Sequence, residues 1–253
     1  MWALVDHPII LSLVCFALIA SAGWIGHQFR RKSGPIDEDD RSDLSLIVTA
    51  TLTLLGLIIG FTFSMAVTRY DLRKHCEADE ANSIGTEYNR ADMLPAADAT
   101  AIHDLLKEYL GLRIQFYEIR HDRSRLNQVE LSRSRIQKRM WDIVAAVGAS
   151  RSSATFALVV AGMNQVIDNQ GYAQAAWWNR IPRAAWILMV AIAVCSNYLV
   201  GCNSCKYGKP IYLVLPLAIA ISFMLIADID SPRNGLIFIR PDNLRSLAET
   251  MGR

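Results

Sequence analysis

The stretch from Asp43 to Pro95 constrains this chain more than any other. It holds no proline until Pro95, opens with the apolar run Leu44–Val67, and then turns charged from Arg69 onward. Read as one helix through Met93 it would be about 50 residues and about 75 Å long at 1.5 Å per residue. That is more than twice the roughly 30 Å hydrocarbon thickness of a bilayer. The pattern predicts an element that spans a membrane and projects well beyond it.

Three further apolar runs, Pro8–Phe29, Ala184–Gly201 and Ile211–Ala227, have the length of spans. Because the 52% of hydrophobic residues are bunched rather than spread at helical or strand period, the chain reads as a membrane protein. A net charge of +2, with no basic run on an aromatic platform, excludes nucleic acid as a partner. Ala20-Ser21-Ala22 looks like a leader cleavage site. Yet no Lys or Arg precedes the first run, which is also longer than a leader core, so a retained span is expected. It ends at a cationic stop, Arg30-Arg31-Lys32, and the acidic cluster Asp37–Asp40 reads as a solvated loop.

Within the second span, Thr49, Thr53, Gly56, Gly60, Phe63/Ser64 and Val67 recur at helical spacing on one face. Gly56-Leu-Ile-Ile-Gly60 is a small-xxx-small seam on which another helix can pack closely. The same face could line a pore, with hydroxyls toward partly hydrated ions and Phe61 or Phe63 as an apolar constriction. Arg69, Tyr70 and Arg73 read as anchors where the helix leaves the bilayer. In the tail, Ala78, Ala81, Ile84, Tyr88 and Ala91 form a narrow apolar seam, with Glu77, Asp79, Glu80 and Glu87 placed off it.

Asp98–His121, Arg125–Gly148 and Thr155–Asn169 each carry one apolar stripe opposed by charges, which predicts a helical bundle. Trp177, Trp178 and Trp186 read as interface anchors on the return to the membrane. The expected fold is all-α: four spans, with a helical bundle between the second and third. The domains follow as 1–68 for the first two spans, 69–182 for the bundle, 183–228 for the last two spans and 229–253 for a polar tail.

No catalytic constellation is expected. The five histidines are scattered, and no nucleophile elbow, phosphate loop or metalloprotease motif occurs. Cys202 and Cys205 are a single pair in a short turn, half of a zinc site at most, and read as a disulfide or inert thiols. No cofactor and no metal centre is expected. Asp228 and Asp230, closing the fourth span, could cap it, pair with Arg69 or Arg73, or bind Ca²⁺ with backbone carbonyls; the ion pair is the expectation.

Three segments carry a resemblance: Gly60–Arg73 (GFTFSMAVTRYDLR), Glu80–Pro95 (EANSIGTEYNRADMLP) and Asp230–Leu236 (DSPRNGL). They resemble the bacterial bestrophin-like domain membrane proteins over nearly the whole chain, and more loosely the bestrophin channels. That resemblance implies a pentamer with a pore lined by the second helix. Phe61 and Phe63 then stand at an apolar neck before the Arg69-Tyr70-x-x-Arg73 run. Asp228–Pro232 falls where bestrophins place an acidic turn of their Ca²⁺ clasp, of which only Asp228 and Asp230 remain here.

Two functions follow as expectations. One is an oligomeric ion channel in the cell membrane, multi-pass and in a bacterium the inner one, with the lipid bilayer, inorganic ions and copies of itself as partners. The alternative is a non-conducting scaffold or sensor that presents its bundle to another protein. Sidedness stays open on charge: six Lys and Arg flank the spans on one side and eight on the other.

Overall fold

The computed structural model describes residues 5–33, 38–120, 122–150, 153–204 and 210–252, and no strand occurs among them. The helices are α1 (Pro8–Ser33), α2 (Glu38–Arg90), α3 (Ala96–Glu118), α4 (Arg123–Ser150), α5 (Ala154–Trp178), α6 (Arg183–Asn203), α7 (Val214–Asp230) and α8 (Asp242–Met251). The long second helix is present as one element of 53 residues, starting six residues ahead of its apolar run. A 3₁₀ turn, Ala91–Met93, tightens its end, and Leu94 then turns extended at ψ 164°, the geometry a following proline imposes. The last bundle helix runs to Trp178 rather than Asn169, because Ala173, Ala176 and Trp177 continue its buried stripe.

Among the described residues three helical stretches, Pro8–Lys32, Asp39–Met93 and Ala154–Asn203, are long and apolar enough to cross a membrane by length and composition. The expected fourth span is a 3₁₀ turn, Pro210–Leu213, followed by the 17 residues of α7. The chain divides into two compact units: Met1–Thr68 with Arg180–Phe238, and Arg69–Asn179 with Ile239–Arg253.

In the first unit α1 packs on α6 and α7. The α1–α6 crossing is backbone on backbone. A Cβ at Gly26 would lie 2.1 Å from the Tyr198 carbonyl oxygen, and one at Gly201 would lie 2.0 Å from that of Gly23. Asn197 of α6, fully buried, donates through Nδ2 to the Ile19 carbonyl of α1, and the Cys202 thiol donates to the Gly26 carbonyl at 3.4 Å. Cys205 lies outside the described residues. Ile9, Leu13, Trp24, Leu46, Leu57 and Leu217 are exposed, an apolar surface that suits lipid rather than water.

In the second unit Ile84, Leu106, Tyr109, Phe116, Met140, Met163 and Leu244 form the core. Trp177 belongs to it rather than to a membrane interface: it is 5% exposed and meets the Phe116 and Tyr117 rings edge-on at 5.1 and 5.5 Å. Trp186 likewise sits inside the first unit against Phe223, whereas Trp178 is exposed. Ser153 caps α5, accepting from the Phe156 amide at 3.1 Å.

Candidate functional site

The apolar half of α2 has one narrow covered side, Val48, Leu55, Thr62 and Ala66, at intervals of seven, seven and four residues. Only 11% of its apolar window is buried, against 33% for α1, so this span is the one its own chain covers least. Thr49, Thr53, Gly56, Gly60, Ser64, Phe61 and Phe63 all lie exposed, and Val67 is half-buried. No atom stands within 4 Å of where a Cβ would sit on Gly56 or Gly60, so the glycine notch is open in the single chain. Thr49 donates to the Ser45 carbonyl at 2.9 Å and Thr53 to that of Thr49 at 2.8 Å. Those bonds consume the hydroxyl protons and leave oxygen lone pairs pointing outward.

Beyond Thr68 the buried seam of α2 turns polar. Arg73, Glu77, Glu80, Ile84, Glu87 and Ala91 recur at alternating four- and three-residue steps, and all are buried. The seam of small residues expected from the sequence therefore shares its side of the helix with three carboxylates placed elsewhere by that reading. Each of the first three charges has a defined task. Arg73, expected at a membrane interface, is 1% exposed and caps α5 instead, donating from Nε to Ala176 O and from Nη2 to Asn179 O, both at 3.0 Å. Arg69 is half-buried. Glu77 caps the start of α8, accepting from the Leu244 amide at 2.9 Å and from Asn243 Nδ2 at 2.6 Å.

Glu80 anchors an internal network. Arg113 of α3 approaches its carboxylate at 2.8 Å, and the Tyr117 hydroxyl donates to it at 2.8 Å. The guanidinium stacks 4.4 Å from the Phe116 ring centroid and faces Glu130 at 3.7 Å. Glu130 in turn pairs with Arg133 at 2.9 Å, and Arg133 donates to Gln170 at 3.0 Å. Burial raises the Glu80 carboxyl above its ordinary range, opposed by the charge and hydrogen bond of Arg113 and by the Tyr117 hydroxyl.

Asp228 and Asp230 make a joint at the end of α7. Asp228 accepts from the Leu236 amide at 2.6 Å and the Ile237 amide at 2.8 Å, one per oxygen. Gly235 makes this turn possible, since a Cβ there would stand 2.6 Å from the Asp228 carbonyl oxygen. Asp230, wholly buried, accepts from the Ile181 amide at 3.2 and 3.3 Å and faces Arg180 Nε at 3.5 Å. Arg180 also holds Asp6 at 2.6 Å. Arg180 is thus an ionic partner of Asp230. The pair does not fit a divalent cation, because backbone amides hold both carboxylates and a guanidinium already stands between Asp6 and Asp230. Among the described residues no cluster of three or more His, Cys, Asp or Glu side chains could hold a metal ion.

Sequence reasoning missed Arg113, Arg180 and the inward carboxylates. Arg113 carried a legible signal: it falls on the apolar stripe of its own helix with Leu106, Tyr109, Leu110, Phe116 and Tyr117. A charge on a core stripe demands an internal partner. Arg180 carried none, being one of several cations beside a span.

The sequence profile of a family described as the Bestrophin-like domain matches residues 14–244. Among solved structures, a bacterial bestrophin homologue from Klebsiella pneumoniae superposes with a TM-score of 0.64 at 16% identity, covering 97% of this chain and 96% of that one. A point variant of that homologue gives 0.63 at 14% identity, covering 95% and 99%. At such identities the likeness establishes the fold. No curated protein sequence matches the chain.

Proposed function

Because the chain belongs to the bestrophin-like family, we propose that it is an oligomeric ion channel of the cell membrane whose second spans line the pore. The observation that carries this reading is the bare α2 span: 11% of its apolar window is buried, and its exposed face joins two unoccupied glycines to hydroxyl oxygens. A ring of copies would cover Gly56 and Gly60 with neighbouring helices and leave Thr49, Thr53 and Ser64 toward the axis. Five copies are what the resemblance to bestrophins implies. The fourth crossing would be α7 together with the 3₁₀ turn before it, and the bundle would face the cytosol.

Helix geometry separates the two gate candidates. Residues two apart on an α-helix face about 200° away from each other, so Phe61 and Phe63 cannot both point at one axis. Phe63 shares the face of Thr49, Gly56 and Gly60; Phe61 is turned away and is the more exposed, 66% against 38%. We therefore assign the constriction to Phe63 and a lipid-facing place to Phe61. Thiol accessibility tests the lining. In a Cys195→Ala background, a charged thiol reagent should block flux through Thr53→Cys and spare Leu54→Cys, which turns to lipid. Equal block of both, or of neither, would remove the α2 lining.

A further inference from the structure

Of the buried charges along α2, Glu87 alone forms no hydrogen bond and no ion pair among the described residues. Its side chain is 0% exposed, and neither carboxyl oxygen takes part in a hydrogen bond. The carboxyl is seated against Gly162 of α5, where a Cβ would stand 1.9 Å from Oε2 and 2.6 Å from Arg90 Nη1. The notch left by a missing side chain is thus filled by an acid, in a seam where Arg73, Glu77 and Glu80 are each satisfied. A neutral carboxyl tolerates that environment far better than a carboxylate, whose desolvation the neighbouring Arg90 offsets only in part.

We propose that Glu87 and Gly162 form a proton-held latch between α2 and α5, closed while the carboxyl is neutral and loosened when it ionises. This is independent of the channel reading, since it concerns the bundle alone. Charged groups nearby do not replace the proton. On α5 there is no Lys, Arg, His or Glu, and the single Asp, Asp168, lies exposed six residues beyond Gly162. His103 of α3 is occupied with Tyr88 and Asp92: its ring stacks on Tyr88 at 4.2 Å, and Nε2 lies 2.9 Å from the Tyr88 carbonyl oxygen and 3.4 Å from Asp92. Arg90 is the cation alongside. Burial pushes the Glu87 carboxyl up to about 8 despite the opposing pull of Arg90.

The folded protein therefore holds this proton more tightly than the unfolded chain. The stability it contributes is complete below about pH 4.5, the ordinary carboxyl range, and is lost as pH rises to about 8. The test is hydrogen exchange of the α5 amides around Gly162, corrected for intrinsic rates, on the full chain in detergent from pH 6 to 9. Wild type should lose protection by about tenfold per pH unit from pH 6 upward and level off with a midpoint near pH 8. Glu87→Gln should be flat, and His103→Gln should keep the wild-type profile. Removing the opposing cation with Arg90→Gln should move the midpoint upward, and this variant carries the test if Glu87→Gln does not fold. A wild-type profile retained in Glu87→Gln, one that disappears in His103→Gln, or a midpoint that falls in Arg90→Gln would overturn the latch.

Discussion

Arg113→Ala is expected to unfold the helical bundle of the second unit or leave it marginal, at a cost of about 3–5 kcal/mol, the range for removing one partner of a buried ion pair. The reason lies in what remains. Glu80, 1% exposed, would keep only the Tyr117 hydroxyl, and Glu130 would lose a facing guanidinium. The stacking of Arg113 on Phe116 would go as well. Arg113→Lys should recover little, because a point ammonium cannot span Glu80 and Glu130 or stack on a ring as the planar fork does. Denaturant unfolding followed by Trp177, which touches Tyr117, reads the effect directly. A variant within about 1 kcal/mol of wild type, the scale of an exposed pair, would mean that the network is peripheral.

The second large effect belongs to the α1–α6 crossing. Gly26→Ala and Gly201→Ala each place a methyl about 2 Å from a backbone carbonyl oxygen of the facing helix. A flexible side chain could move aside, but a helix backbone cannot do so without opening the crossing and the Asn197 bond to Ile19. Each substitution should cost about 3 kcal/mol, the upper end for overpacking, seen as a lower melting temperature in detergent. Gly56→Ala and Gly60→Ala are the contrast, with nothing within 4 Å of the added atom. They should leave the stability of the single chain unchanged or up to about 1 kcal/mol higher through helix propensity. Their effect should appear in the assembly of copies instead.

The contrast between these glycine pairs also marks what was legible in the sequence. Gly56-x-x-x-Gly60 announced itself by spacing, while Gly26 and Gly201 sit on different helices and become a pair only in three dimensions. The all-helical fold and the unbroken α2 followed from apolar run length and the absence of proline, local properties that a sequence carries openly. The polar half of α2 was harder. Periodicity counts apolar residues, so Glu77, Glu80 and Glu87 are placed off the apolar seam even though they fall on the same three-four rhythm as Ile84. The groups they meet, the first turn of α8, Arg113 and the notch at Gly162, come from distant parts of the chain. The same limit applied to Asp230, whose guanidinium partner lies 50 residues away in a linker read as a membrane approach.

Ion flux from liposomes holding the purified oligomer tests the channel reading most directly, with wild type beside Phe63→Ala and Phe61→Ala. The account predicts flux from wild type, a severalfold change in Phe63→Ala, and little change in Phe61→Ala, whose ring faces away from the hydroxyl stripe. No flux from protein shown to be folded and oligomeric would contradict it, and the bundle would then be the surface on which to seek a partner.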